Sequence, residues 1–189
     1  MRKIVIIGPE STGKSTLCKQ LAEHYKTEWV REYAREYLVN KGIVYTYDDL
    51  LDIAKGQLAL EDAVTQNLKP KTQNLFIDTD MYVIKVWSEY VFQKCHHWIL
   101  NRIVERQYDL YLLCYIDLPW IKDELREYPD LEARQELYHY YKDIMINQNV
   151  PWVEIRGSDE ERLQIAIEAV DGLEKLQATR HKEKHDNTE

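Results

Sequence analysis

Apolar positions in this chain form short unbroken runs, separated by longer stretches in which they recur at helical spacing. Lys3-Ile4-Val5-Ile6-Ile7 is such a run and ends at Gly8. Apolar side chains at successive positions suit a central parallel strand, buried on both faces. Leu17, Leu21 and Ala22 then share one side of a helix that should begin near Lys14. Trp29-Val30 predicts a short second strand, and Tyr33 to Asn40 a helix closed by Gly42. Leu50, Leu51, Ala54, Leu58 and Val64 form the stripe of the next helix, with Asp48 as its expected cap. Leu75-Phe76-Ile77-Asp78 predicts the third strand, Tyr82 to about Arg106 one aromatic helical stretch, and Tyr108 to Ile116 the fourth strand. Segment 120–148 is charged, rich in Arg and Tyr, and is expected to be helical. Trp152-Val153-Glu154-Ile155 follows Pro151 as a fifth strand, and a last helix should run from about Asp159 to Gln177, capped by Ser158 or Asp159.

Strands alternating with helices predict an α/β fold, with five parallel strands covered by helices on both faces. A chain of 189 residues is long enough for one core, so residues 1–177 are expected to form one domain. The charged tail 178–189 lacks aromatic residues and should be either disordered or an extension of the last helix.

Composition adjusts this picture in a few places. The chain has 14 tyrosines and 2 phenylalanines, so tyrosines must do much of the aromatic packing, and some should line a half-wet pocket. A formal net charge of -8 opposes non-specific binding to a phosphate backbone, and no nucleic-acid partner is expected. The 3 cysteines are far apart and show no ligand spacing; Cys18 and Cys114 read as small buried hydrophobes. The adjacent His96 and His97 would point about 100° apart on a helix, so no metal site built from protein alone is expected. No signal peptide precedes the first strand, and no apolar stretch nears the ~20 residues of a membrane span, which predicts a cytoplasmic chain with no membrane partner.

The chemistry starts at Gly8-Pro9-Glu10-Ser11-Thr12-Gly13-Lys14-Ser15, which fits Gly-x-x-x-x-Gly-Lys-Ser between a strand and a helix. Glycines let the backbone wrap close to phosphate oxygens, and the loop amides together with the helix N-terminus bind the anion. This predicts a P-loop that holds ATP and Mg²⁺. Lys14 should reach the β- and γ-phosphates, Ser15 should ligate Mg²⁺, and Thr16 should lie near the α-phosphate. Asp78, at the end of the third strand, is the expected second carboxylate on the metal, and Asp80 lies one residue beyond Thr79 on the same side of an extended chain.

Two charged segments complete the candidate site. Arg31-Glu32-Tyr33-Ala34-Arg35-Glu36-Tyr37 begins where the second strand should end, and ligands bind beyond the carboxyl ends of strands in open parallel sheets. Its i, i+4 pairs are like-charged, which argues against a merely self-stabilised helix. Glu32 could take the proton of an attacking hydroxyl, and Arg35 could orient a polar group. Between the fourth and fifth strands, Arg126 and Arg134 are candidate cations for the transferring phosphate, on a lid that could close over ATP. Gly157 and Ser158, past the fifth strand, could border the adenine.

Taken together, the P-loop, Glu32-Tyr33-Ala34-Arg35-Glu36, Phe76-Ile77-Asp78-Thr79-Asp80, Trp120 to Arg126 and Val150 to Ile155 resemble the ribosylnicotinamide kinase domain of NadR-type proteins, over roughly 1–175. The resemblance implies a nucleoside- or nucleotide-kinase fold with a helical lid, and ATP-dependent phosphorylation of the 5′-hydroxyl of nicotinamide riboside. It also implies that Glu32, Arg35, Asp78 and Asp80 face the ribose, the hydroxyl or Mg²⁺. NadR proteins carry a nucleotidyltransferase domain before the kinase, and no such domain is expected in this chain, whose first strand leads straight into the P-loop. Arg31 stands where the family can carry an aromatic residue, so Trp87 or Tyr82 is expected to stack on the base, unless the acceptor differs. A kinase of another nucleoside or metabolite, or a regulatory ATPase with a protein partner, remain the alternatives. The chain also lacks room for the separate helical domain of an AAA-type motor.

Overall fold

The computed structural model describes residues 1–124 and 127–186, with side chains described as far as Leu173. Its elements, in order, are β1 (Arg2–Ile7), α1 (Lys14–Tyr25), β2 (Trp29–Val30), α2 (Tyr33–Lys41), α3 (Tyr47–Asn67), β3 (Asn74–Asp78), α4 (Met81–Phe92), α5 (His97–Glu105), β4 (Leu110–Cys114), α6 (Leu131–Asn147), β5 (Trp152–Ile155) and α7 (Asp159–Asp186). The five strands form one sheet in the order β2-β3-β1-β4-β5, and every pairing is parallel. β1 lies at the centre, which accounts for its unbroken apolar run: Ile4 and Ile6 face one layer, Val5 and Ile7 the other. α1 and α7 pack on the first face through Leu17, Leu21, Ala166 and Val170. On the second face lie Val83 and Val86 of α4 and Leu137, Tyr141 and Met145 of α6. α3 adds a side cluster through Leu50, Ile53 and Leu58, packed with Met81 and Ile84 of α4 and Ile99 of α5.

Three local expectations are corrected. The cap of α3 is Thr46, not Asp48: Thr46 and Asp49 form a reciprocal capping box, and Asp48 merely sits in the first turn. The aromatic stretch from Tyr82 to Arg106 is two helices. α4 stops at Gln93, whose φ of 57° ends the helical path, and the Ser88 hydroxyl donates to Lys94 O at 2.8 Å. No glycine or proline marks that break, so apolar spacing alone runs through it. Segment 119–130 is not helical among its described residues; Pro119 and Pro129 bracket it, each restricting the residue before it. Helix resumes at Leu131, where Asp130 accepts from Ala133 N at 2.8 Å.

Candidate active site

The loop after β1 is shaped by contacts that forbid other residues. A Cβ on Gly8 would lie 2.7 Å from Cys114 O, and Gly8 has a φ of 138°. Gly8 is therefore the pivot of the loop, buried and outside the cleft lining, rather than a direct phosphate contact. Gly13, with φ 78°, is the N-cap of α1 and leaves the first-turn amides without a side-chain cap, open to an anion. Thr12 Oγ1 donates to Pro9 O at 2.7 Å, and Lys14 Nζ donates to the same oxygen at 3.0 Å. The ammonium thus sits on its own loop, inside the cleft.

Ser15 Oγ donates to Asp78 Oδ2 at 2.5 Å, while Asp78 Oδ1 is buried with no partner. Burial, and then the nearby charge of Glu32, push the Asp78 carboxyl up to about 7, against the pull of Lys14 and Ser15. An unpartnered buried carboxylate oxygen is costly, and a cation beside it would remove that cost. The pair therefore fits Mg²⁺. Among the described residues no group of three or more His, Cys, Asp or Glu could hold a metal, so phosphates and water would have to supply the remaining ligands.

A cleft of about 590 Å³ extends from Glu10–Thr16, past Glu32, Asp78 and Thr79, to Trp87 and the exposed side of α2. Glu32 is the N-cap of α2, yet its side chain makes no capping bond and remains available to the cleft. Its backbone is set by Gln57 of α3, a buried residue with no sequence signal. Gln57 Oε1 accepts from Tyr33 N at 2.7 Å, and its Nε2 donates to Arg31 O at 3.2 Å and Asp78 O at 3.5 Å. Gly56 leaves room for the Tyr33 ring, since a Cβ there would be 2.0 Å from it.

The segment after β4 lies across the loop. Glu10 Oε2 accepts from Glu127 N at 3.0 Å and Tyr128 N at 3.3 Å, and burial raises the Glu10 carboxyl against those bonds. Ser11 Oγ accepts from Ile121 N at 2.9 Å, and Arg35 Nη2 donates to Asp123 Oδ2 at 2.9 Å. Arg35 therefore lines the cleft while paired to this segment.

Several expected site residues are placed elsewhere. Asp80 is buried and caps α4, accepting from Tyr82 N at 3.0 Å and Val83 N at 3.4 Å, and from the Tyr111 hydroxyl at 2.8 Å. Tyr82 packs edge-on against Tyr111, 5.8 Å between rings, and does not line the cleft; of the two expected stacking residues only Trp87 does. Arg134 is buried with Nη2 on Leu118 O at 3.1 Å, outside the cleft lining. Gly157 N donates to Asp117 Oδ2 at 2.7 Å and Ser158 pairs with Glu161 at the start of α7, away from the cleft. Arg126 lies outside the described residues. The structure adds Arg162, whose guanidinium reaches Thr12 O, Tyr115 O and Gly157 O, each at 2.9 Å, and Asp117, tying the loop to the segments that follow β4 and β5. A lone arginine in an acidic helix start gives no hint of this.

A family model described as an AAA domain matches residues 3–162. The chain belongs to this AAA domain family. Within this AAA domain the similarity to NadR expected from the motifs is found. The "Trifunctional NAD biosynthesis/regulator protein NadR" of Escherichia coli (strain K12) is 28% identical over 163 residues, and that of Salmonella typhimurium is 27% identical. The aligned region covers 84% of this chain but only 39% of each relative. Among solved structures, a NadR protein in complex with NR superposes with a TM-score of 0.75 at 23% identity, covering 91% of this chain and 50% of the other. Thymidylate kinase from Candida albicans gives 0.62 at 17% identity, covering 92% of both chains. Deoxyadenosine kinase from M. mycoides gives 0.56 at 12% identity, covering 90% of this chain and all of the other. The AAA domain here thus has a nucleoside- and nucleotide-kinase fold. None of its described helices is long and apolar enough to cross a membrane.

Proposed function

We propose that this chain is an ATP-dependent kinase that phosphorylates the 5′-hydroxyl of nicotinamide riboside, giving nicotinamide mononucleotide. The observation that carries this reading is the single cleft that joins Lys14, Ser15 and Asp78 at one end to Glu32 and Trp87 at the other. The uncapped loop amides and Lys14 would bind the triphosphate and stabilise charge on the transferring group. Ser15 and Asp78 would hold Mg²⁺, which when bound offsets phosphate charge. The acceptor oxygen forms a bond to the γ-phosphorus, the bond from phosphorus to the bridging β-phosphate oxygen breaks, and the hydroxyl proton passes to Glu32. Trp87 offers its face to the base. The similarity to a NAD biosynthesis protein, and to a NadR protein in complex with NR, favours nicotinamide riboside as acceptor.

One observation favours a second acceptor. Arg31 lines the cleft, and a guanidinium would repel a cationic pyridinium while suiting an anionic or carbonyl-rich base. ATP consumption should be measured with nicotinamide riboside, thymidine, deoxycytidine, uridine and deoxyadenosine. Turnover of nicotinamide riboside alone supports the main reading, and turnover of another nucleoside without it moves the assignment to that acceptor. Turnover of none, with nucleotide-dependent capture of a protein, would favour a regulatory ATPase.

A further inference from the structure

Thr79 carries a backbone strain that the fold itself does not explain. Four described non-glycine residues have positive φ: Ser11, Lys26, Thr79 and Gln93. Lys26 and Gln93 end helices, where the left-handed conformation satisfies the last carbonyls, and Ser11 shapes the phosphate loop. Thr79, at φ 79°, ends a strand, and it alone of the four is β-branched, the residue class least suited to that region. Its N–H still bonds Ile6 O at 3.3 Å, so the sheet holds the strained residue in place.

That conformation leaves the Thr79 hydroxyl buried, without a hydrogen-bond partner, in a residue that lines the cleft. Such groups are rare in native structures and ask for a missing partner. Along the chain, Thr79 stands between Asp78, which faces Ser15, and α4, which carries Trp87. In the kinase reading, on which this inference rests, an attacking hydroxyl must lie at that junction between phosphate and base.

We propose that Thr79 is a substrate-positioning residue whose Oγ1 makes a hydrogen bond with the acceptor's attacking hydroxyl. A hydroxyl both donates and accepts, so it can hold that oxygen while its proton is left for Glu32. Strain of this kind persists only where the surrounding structure over-determines it, and it clusters at ligand-binding sites.

The test compares Thr79→Val and Thr79→Ser with the wild type on the nucleoside that the wild type turns over. Valine keeps shape and branching but loses the hydroxyl, so kcat/KM for the acceptor should fall about 10- to 100-fold through lost orientation. Affinity for ADP and Mg²⁺ by calorimetry should stay within ~2-fold of wild type, since the phosphate loop is untouched. The melting temperature should hold or rise, because an unpartnered buried hydroxyl has been removed. Serine should recover activity to within ~3-fold of wild type, because it restores the bond. If valine proves unstable, Thr79→Ala gives the same contrast in kcat/KM against nucleotide affinity. Unchanged kcat/KM in the variants, or a loss that tracks melting temperature and nucleotide affinity together, would overturn the assignment while leaving the kinase reading intact. Absence of any acceptor turnover by the wild type would sink both.

Discussion

At the phosphate end of the cleft, the acting groups are held by buried neighbours: Ser15 on Asp78, Thr12 on Pro9, and Arg162 on the Thr12 carbonyl. At the proposed acceptor end, α2 has no fully buried residue, only Ala34 and Tyr37 resting partly buried on the α3–α5 cluster, and Val39 on its surface is 68% exposed. Much of its anchoring is polar, through Gln57 beneath it and the Arg35–Asp123 pair above. A loop that grips a triphosphate meets the same ligand in every enzyme that uses it, so its rigidity costs nothing in specificity. The wall proposed to meet the acceptor would have to match one molecule, and its α2 side is lightly packed. Lightly packed elements open most readily and tolerate change best.

Substitutions can break or sharpen that contrast. Lys14→Ala at the rigid end should cut kcat by about 10³-fold through lost charge stabilisation. Steady-state turnover of ATP and acceptor measures this, and near-normal turnover would remove Lys14 from its role. Glu32→Gln, at the boundary between the two ends, should lower kcat about 10²-fold with ATP affinity little changed. Calorimetry with ATP alongside turnover reads both, and an unchanged kcat would mean that another group takes the proton. Trp87→Ala, at the acceptor end, should raise KM for the nucleoside about 10-fold by removing a stacking face worth roughly 1–3 kcal/mol, with KM for ATP unmoved. Arg35→Ala should have the smallest effect, less than about 3-fold in kcat/KM, because an exposed ion pair contributes about 0–1 kcal/mol. A large loss there would show that Arg35 leaves Asp123 to meet substrate.

Legibility in the sequence follows the same division. The phosphate loop could be read because its constraints are local: Gly8 cannot carry a Cβ against Cys114, and the lysine and serine must follow the second glycine at fixed spacing. The place of Asp78 in the cleft, beside Ser15, could be read from its position after three apolar residues. Asp80 could not, because a carboxylate at a strand end serves equally as a ligand or as a helix cap, and only the position of Tyr111 and the α4 amides separates the two. Tyr82 was indistinguishable from Trp87 in spacing, yet their helix turns one toward Tyr111 and the other toward the cleft. Gln57 and Arg162 carry no pattern of their own, since most of their partners are backbone groups of distant segments.

The amino-acid sequence by itself determined a parallel sheet centred on β1 and the phosphate loop at its end, because apolar runs, helical spacing and glycine sterics act over a few residues. Tertiary structure alone decided which polar groups face the cleft. That choice depends on contacts between segments distant in the chain, such as Gln57 with Arg31 and Asp78, or Arg162 with Thr12, where burial forces each polar group to find a partner.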